Sequence, residues 1–460
     1  MIRTLLVSAC AAAVALPAFA APPPGLHDQA LEILTTSVGY RTVNPGDQMV
    51  PYAEYLKGVL VKAGYKPEEI TIHPMAGTAA LIARYPGTDR TKKPIVVLGH
   101  MDVVEAKRED WERDPFKAVV ENGYVFGRGS EDNKFDVSMA VATLAQLRRE
   151  GWKPGRDVIL ALSGDEETKM ATTQWLAQEL KGAELVLNAD GGGGTLDTAG
   201  KPVAYGLQAA EKTYADFTLT ITDPGGHSSA PTPGNPIYRM SKALEKLSDY
   251  RFPVMSNEIT RATAAAMAPK RPGPIGDALK RFAANPEDAQ AITTLSADKD
   301  IAPQLRTTCV ATMISGGHAT NALPQRAEAN VNCRIFPGTP AEEVRKTLEQ
   351  VMAEPGLSVV RVADDGSVDS PASPLRPDVM AAVKKAVNAR YPGLAVTPSM
   401  SSGATDSMHF RAVGVPSYGV AGLFSRNEDS FAHGLNERAP VASIDGALDH
   451  WRSILKDLAK

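Results

Sequence analysis

The chain has 460 residues, 43 % of them hydrophobic, with a formal net charge of -4. That length predicts roughly two to three domain-sized units. The near balance of 49 basic and 53 acidic residues leaves no electrostatic footprint for nucleic acid and no basic cluster for an acidic membrane surface.

Residues 1–20 read as a targeting segment. Arg3 is the only charge, Leu5 to Leu16 is an apolar run, and Ala18-Phe-Ala20 has the small-x-small form of a signal-peptidase site. The run is too short for a spanning helix, and no later stretch is apolar and long enough for one. The expectation is a periplasmic or secreted protein starting near Ala21. Cleavage removes Cys10 and leaves Cys309 and Cys333 in strand-like segments that could pair. Export permits a disulfide, but the preferred reading is two buried, small apolar side chains.

Residues 26–64 read as helices, with Glu54-Tyr-Leu-Lys-Gly-Val-Leu-Val-Lys amphipathic at helical spacing. Apolar strands and helices then alternate. Strands are expected at 94–99, 158–162 and 185–188, and helices at 135–150 and 172–180; 416–422 reads as a further strand. Continuously apolar strands between helices indicate a mostly parallel sheet covered on both faces, hence an α/β catalytic domain.

The pattern changes near residue 211. Tyr214-Ala-Asp-Phe-Thr-Leu-Thr-Ile alternates apolar and polar residues, as a half-exposed strand does. A helix at 236–248, strands at 307–314 and 326–336, a helix at 340–353 and a strand at 357–363 complete a β-α-β-β-α-β order, the signature of a ferredoxin-like α+β unit. A mostly helical insert occupies about 252–306. The expected organisation is a catalytic domain over 21–210 and 366–460, interrupted by this unit at 211–365.

The chemistry-bearing residues cluster at strand ends, where parallel α/β sheets collect ligands. His100-Met-Asp102 follows the first buried strand. His100 suits a metal ligand, and Asp102 suits an acceptor for its other ring N–H. Glu166-Glu167 ends the second strand and Asp190 the third. Asp132 sits in the turn Gly127-Arg-Gly-Ser-Glu-Asp-Asn-Lys134 before a helix, and His433 in a late loop, Ala-His-Gly-Leu-Asn-Glu437. A carboxylate that binds metal beside one that works on a water is hydrolase equipment. His27, His73, His318, His409 and His450 lack such partners and read as surface or core. Gly191–Gly194 lacks the context of a phosphate cradle and reads as room for the loop around the metals. There is no Gly-x-Ser-x-Gly elbow.

Gly99-His-Met-Asp-Val, Trp111, Asp114-Pro-Phe, Gly-Arg-Gly-x-x-Asp-x-Lys, Asp-Glu-Glu, Asn188-Ala-Asp and His-Gly-x-Asn-Glu together resemble the M20 metallopeptidases across about residues 30–455. The resemblance implies two divalent metal ions, usually zinc, with cobalt or manganese also fitting. Asp132 would bridge them, Glu167 and His433 would complete one ion, His100 and Asp190 the other, and Glu166 would be the general base. Glu131 is the local competitor for the bridge. The inserted unit is similar to the family's lid, which implies homodimerisation through it. His227 in Gly-Gly-His-Ser-Ser matches the lid histidine that enters a neighbouring subunit's site and stabilises an oxyanion. Asn321 and Arg334 match a substrate clamp, with Arg334 suited to a free α-carboxylate. Gly403, in Ser402-Gly-Ala-Thr-Asp406, resembles a substrate-side loop.

The expected function is an exported di-zinc carboxypeptidase or dipeptidase of small peptides. The alternatives are an N-acyl amino acid amidohydrolase on the same site and a catalytically silent metal-binding scaffold. The insert 252–306 is expected either to cap the substrate pocket or to alter the dimer surface.

Overall fold

The computed structural model describes residues 25–363 and 366–460. The targeting segment and Cys10 lie outside the described residues.

The strand Ile95–His100 explains the continuous apolar pattern. Ile95 and Val97 enter one core with the helices Leu26–Val38, Lys134–Arg149 and Ile444–Leu458, whereas Val96 and Leu98 enter a second with Leu176, Ala177 and Phe410. Val158–Ser163 divides in the same way, Leu160 to one face and Ile159 to the other. A strand buried on both faces has no polar side to alternate with. These two strands run parallel, and Leu185–Asn188 and Ser417–Gly419 continue the parallel centre. Antiparallel pairings flank it. The hairpin Ile70–Met75 and Thr78–Tyr85 extends one edge, and Pro202–Glu211 pairs antiparallel with Ser417–Gly419 on the other side. Val396–Ser401 adds to Pro202–Glu211 in parallel.

The second unit has four antiparallel strands in the order Thr308–Gly316, Arg326–Ile335, Thr213–Thr222, Ser358–Arg361. The helices Pro236–Asp249 and Ala341–Met352 cover one face. Ala215, Phe217, Leu219 and Ile221 alternate inward to meet Met240, Leu247 and Leu348. The ferredoxin-like order expected from the sequence is therefore present. Cys309 and Cys333 face each other in register and form a disulfide spanning 24 residues. The preference for two reduced core residues is thus corrected. Cys333 is buried in this core, while Cys309 is only partly so, and strand pairing brings them together.

Insert 252–306 has its own core of Ala264, Leu279, Phe282, Leu295, Ile301 and Leu305. It docks on the catalytic domain: Thr263 Oγ1 donates to the Pro398 carbonyl at 2.7 Å and Leu375 N–H to Glu258 at 3.2 Å. At the start of the lid, Lys212 Nζ donates to the Arg306 carbonyl at 2.6 Å. Among the described residues no helix is long and apolar enough to cross a membrane.

Candidate metal centre and active site

His100 ends its strand with the imidazole buried, and its Nε2 lies 2.9 Å from Asp132 Oδ1. The other Asp132 oxygen lies 3.4 Å from His433 Nε2, which is 2.9 Å from Glu167 Oε1. Asp132 therefore stands between two imidazoles with one oxygen toward each. The ligand-type atoms form overlapping groups, each within 4.8 Å: His100 with Asp132 and Asp190, Asp132 with Glu167 and His433, and His100 with Glu166 and Glu167. The first two groups share Asp132.

Buried hydrogen bonds hold this arrangement. The Glu437 carboxylate accepts the N–H groups of Gly129, Glu131 and Asp132 at 2.9, 2.8 and 3.0 Å, and an Arg128 N–H at 2.7 Å. The turn before Lys134–Arg149 is thereby clamped with the Asp132 side chain free to face the cluster. The Asp132–Asn133 peptide is cis. Lys134 points elsewhere, donating to the carbonyls of Ser37 and Tyr40 at 3.0 and 2.8 Å. Glu131 accepts the Phe431 N–H at 2.7 Å and belongs to none of the three groups. Asn188 shapes the next turn, its Oδ1 accepting the Asp190 N–H at 2.9 Å.

Asp102 lies beside the His100 imidazole and also reaches the next strand end. His100 Nδ1 lies 3.1 Å from the Asp102 carbonyl oxygen and 3.5 Å from its carboxylate. The carboxylate also accepts the backbone N–H groups of Glu166 and Glu167 at 3.1 and 2.9 Å. It thus binds the strand end carrying His100 to the one carrying both glutamates.

The cluster is rich in carboxylates. Burial pushes the Glu166 carboxyl well above its ordinary range; His100 opposes this, while Asp190, Asp406 and Glu167 add to it. Asp190 is raised by burial and by Asp132. Burial also raises Asp406 to about 7, although Ser163 and Thr173 hydroxyls donate to it. Burial would raise Asp132, yet the two imidazoles hold it well below its usual value. His433 is pushed up to about 10 by Asp132 and Glu167. Neutralising so many buried acids calls for protons or cations, and an imidazole–carboxylate donor set suits zinc-like dications.

A cavity of about 540 Å³ opens over the cluster. Glu166, Asp190 and His433 line it from the catalytic domain, Arg334 and Tyr214 from the lid, and Gly403 from the loop after Val396–Ser401. The Arg334 guanidinium lies 4.8 Å from the Tyr214 ring centroid and donates to the Ser402 carbonyl at 3.1 Å. A buried pair fixes that loop: Glu211 accepts from Arg411 Nη1 at 2.9 Å and from Thr405 Oγ1 at 2.8 Å. Two further expected residues are elsewhere. His227 and Asn321 are exposed on a short ribbon of the lid, where Ser228 N–H donates to the Asn321 carbonyl at 3.1 Å, and neither lines this cavity.

A smaller cavity of about 310 Å³ adjoins Asp132 and Asp190 and is lined by Gly191–Gly194. These glycines do more than leave room. Gly192 has φ +76°, and a Cβ there would approach the Gly419 and Gly206 carbonyls to 2.4 and 2.7 Å. Two of the other histidines have structural settings. His73 stacks on Trp175 with centroids 4.0 Å apart, and His450 Nε2 lies 3.0 Å from the Val420 carbonyl. Sequence reading assigned no role to the buried Asp406, Glu211 or Glu437. Glu437 lay within the quoted His-Gly-x-Asn-Glu segment, so its place beside the ligands was the available signal.

Paired metal-type groups, a buried glutamate and a guanidinium around one cavity are the equipment of a metal-dependent hydrolase of peptide or amide bonds. A sequence model of peptidase family M20/M25/M40 matches residues 96–457, and the chain belongs to that family. Among curated relatives it is 27 % identical to the mouse N-fatty-acyl-amino acid synthase/hydrolase PM20D1 over 428 residues, covering 90 % of this chain and 83 % of the relative. It is 23 % identical to a probable carboxypeptidase S-like 2 from Dictyostelium discoideum over 397 residues, covering 83 % and 75 % of the two chains. The fold resembles that of the M20 family metallo-carboxypeptidase Sso-CP2 from Sulfolobus solfataricus, with a TM-score of 0.70, 20 % identity and coverage of 94 % and 99 %.

Proposed function

We propose that the protein hydrolyses the amide bond preceding a free α-carboxylate in small peptides, as a carboxypeptidase or dipeptidase does. The observation that supports this best is the placement of Glu166, Asp132, Glu167, Asp190, His433 and Arg334 around one cavity. Asp132 would be shared by two ions, with Glu167 and His433 on one side and His100 and Asp190 on the other. Zinc or a similar dication, when bound, would polarise the substrate carbonyl and acidify a water.

The protein's own groups do the rest. Arg334 pairs with the α-carboxylate and sets the position of the scissile amide. Glu166 takes a proton from the attacking water and delivers it to the leaving nitrogen. Burial raises the Glu166 carboxyl, which brings its basicity closer to that task. His227 would hydrogen-bond the oxyanion from the lid of a second copy, since its ribbon is exposed in one chain.

A second reading, hydrolysis of N-acyl amino acids, is favoured by the similarity to N-fatty-acyl-amino acid synthase/hydrolases. It uses the same bond and anchor. Export through residues 1–20 is part of the proposal, and the Cys309–Cys333 disulfide fits an oxidising compartment. Mass-spectrometric product analysis on dipeptides, longer peptides and N-acyl amino acids tests the reading. Release of C-terminal residues from peptides supports the first form, and cleavage of N-acyl amino acids alone moves the assignment to the second. No product from any of them leaves the silent scaffold.

A further inference from the structure

The face of the lid sheet that turns away from its helices contributes to the catalytic cavity. On Thr213–Thr222, Ala215, Phe217 and Leu219 enter the lid core, so Tyr214 and Asp216 stand on the opposite face. Both line the catalytic cavity together with Arg334. The antiparallel register sets Tyr214 opposite Arg334, Asp216 opposite Asn332 and Thr218 opposite Asn330. Side chains directly opposite in such pairs are within reach of each other.

Hydrogen bonds join these residues into one chain. The Tyr214 hydroxyl donates to one Asp216 oxygen. The other Asp216 oxygen accepts from Asn330 at 2.9 Å and from Asn332 at 3.0 Å. Asn330 also donates to Thr312 Oγ1 at 2.9 Å, which ties the chain to the edge strand Thr308–Gly316. Burial would raise the Asp216 carboxyl, but these hydrogen bonds and the Arg334 charge hold it below its ordinary value.

The chain fixes the Tyr214 ring, and over that ring, 4.8 Å from its centroid, lies the Arg334 guanidinium carbon. An unheld arginine samples many rotamers, and ordering it weakens the binding of a ligand. Here much of that order precedes the ligand. The ring attracts the cation, and the Ser402 carbonyl accepts an Nη1 N–H at 3.1 Å. A guanidinium carries five N–H donors, so others remain for a carboxylate.

We infer that Tyr214 and Asp216 are positioning residues for Arg334: the ring, steadied by the carboxylate, holds the guanidinium ready for the α-carboxylate of the substrate. This inference rests on the proposed amide hydrolysis and on Arg334 as its carboxylate anchor.

The test is kcat/KM of the zinc-loaded full chain on glycyl-leucine and N-acetyl-leucine, each as the free acid and as the C-terminal amide. Tyr214→Leu is expected to lower kcat/KM on the acids about fivefold, mainly through KM, and to move the amides much less. In an Arg334→Ala background the same change should have no further effect on the acids, because the two side chains act as one unit. Tyr214→Phe keeps the ring but not its tie to Asp216 and should lie between wild type and Tyr214→Leu, as should Asp216→Asn. Tyr214 is only partly buried; Tyr214→Thr, whose β-branched side chain suits a strand, replaces Tyr214→Leu if that variant does not fold in a thermal melt. Acids unaffected in the folded variants, equal losses on acids and amides, or a further loss in the Arg334→Ala background overturns the positioning role while leaving the hydrolase intact. Wild-type indifference between acid and amide overturns the anchor, and this inference with it. No turnover of any of these substrates overturns the proposed function and the inference together.

Discussion

The Asp102 carboxylate accepts the backbone N–H groups of Glu166 and Glu167, one on each oxygen, at 3.1 and 2.9 Å. One buried side chain thus fixes the turn that presents both the candidate base and a candidate ligand. Two N–H groups left without an acceptor would cost about 1–3 kcal/mol each. Asp102→Ala is expected to lower the melting temperature and to reduce kcat more than it raises KM. Steady-state kinetics alongside calorimetry checks both; an unchanged kcat would show that the turn holds without this carboxylate.

Glu166 and Asp132 should separate cleanly on mutation. Glu166→Gln is expected to retain bound metal and to lose about 10²–10⁴-fold in kcat. Asp132→Ala removes the group shared by two ligand sets and is expected to lose metal and turnover together. Metal content by mass spectrometry, measured beside activity, distinguishes them.

Arg334→Ala should act on recognition. A charge-assisted pair is worth about 1.5–3 kcal/mol, so kcat/KM on substrates with a free carboxylate should fall roughly 10- to 100-fold. The variant should no longer distinguish the free acid from its C-terminal amide. Persistent discrimination would assign the carboxylate to another group.

The Cys309–Cys333 bridge closes a loop of 24 residues, which predicts about 3 kcal/mol of stabilisation. The double Cys→Ser variant should melt at a lower temperature, with the lid strands losing amide-exchange protection first. Equal melting with and without reductant would contradict this.

His450 predicts an acid limb in stability. Burial holds it neutral, lowering its pKa from 6.5 to about 4. Above pH 6.5 both folded and unfolded states are neutral at this site. Between pH 6.5 and 4 only the unfolded state takes up the proton, so stability falls as pH falls, by about 3 kcal/mol over the window. His450→Gln should flatten that limb in denaturant titrations, and an equally steep limb in the variant would place its origin elsewhere.

The double-sided apolar strands, the alternating lid strands and the strand-end ligand types were legible because each follows from local periodicity. Other elements were hidden. Pro202–Glu211 is rich in alanine with a central glycine, and Val396–Ser401 is polar with a proline, so neither carries a strong strand signal. Ile70–Met75 contains Pro74 and survives as an edge strand. The Cys309–Cys333 bridge depends on strand register, which the separate segments do not reveal. The contacts of Asp102, Glu437 and Asp406 depend on which turns meet at the sheet edge, and no spacing encodes that. Asp102 shows the limit most clearly: its nearness to His100 in sequence suggested the imidazole, 3.5 Å from its carboxylate, but not that the same carboxylate reaches across to the next strand.

The most direct test of the central claim is product release from dipeptides and N-acyl amino acids by metal-stripped protein, with and without added zinc, for the wild type and Glu166→Gln. The account predicts no turnover without metal, restoration by zinc in the wild type, and none in the variant despite equal metal uptake. Full turnover by the metal-stripped wild type, or by zinc-loaded Glu166→Gln, would contradict it.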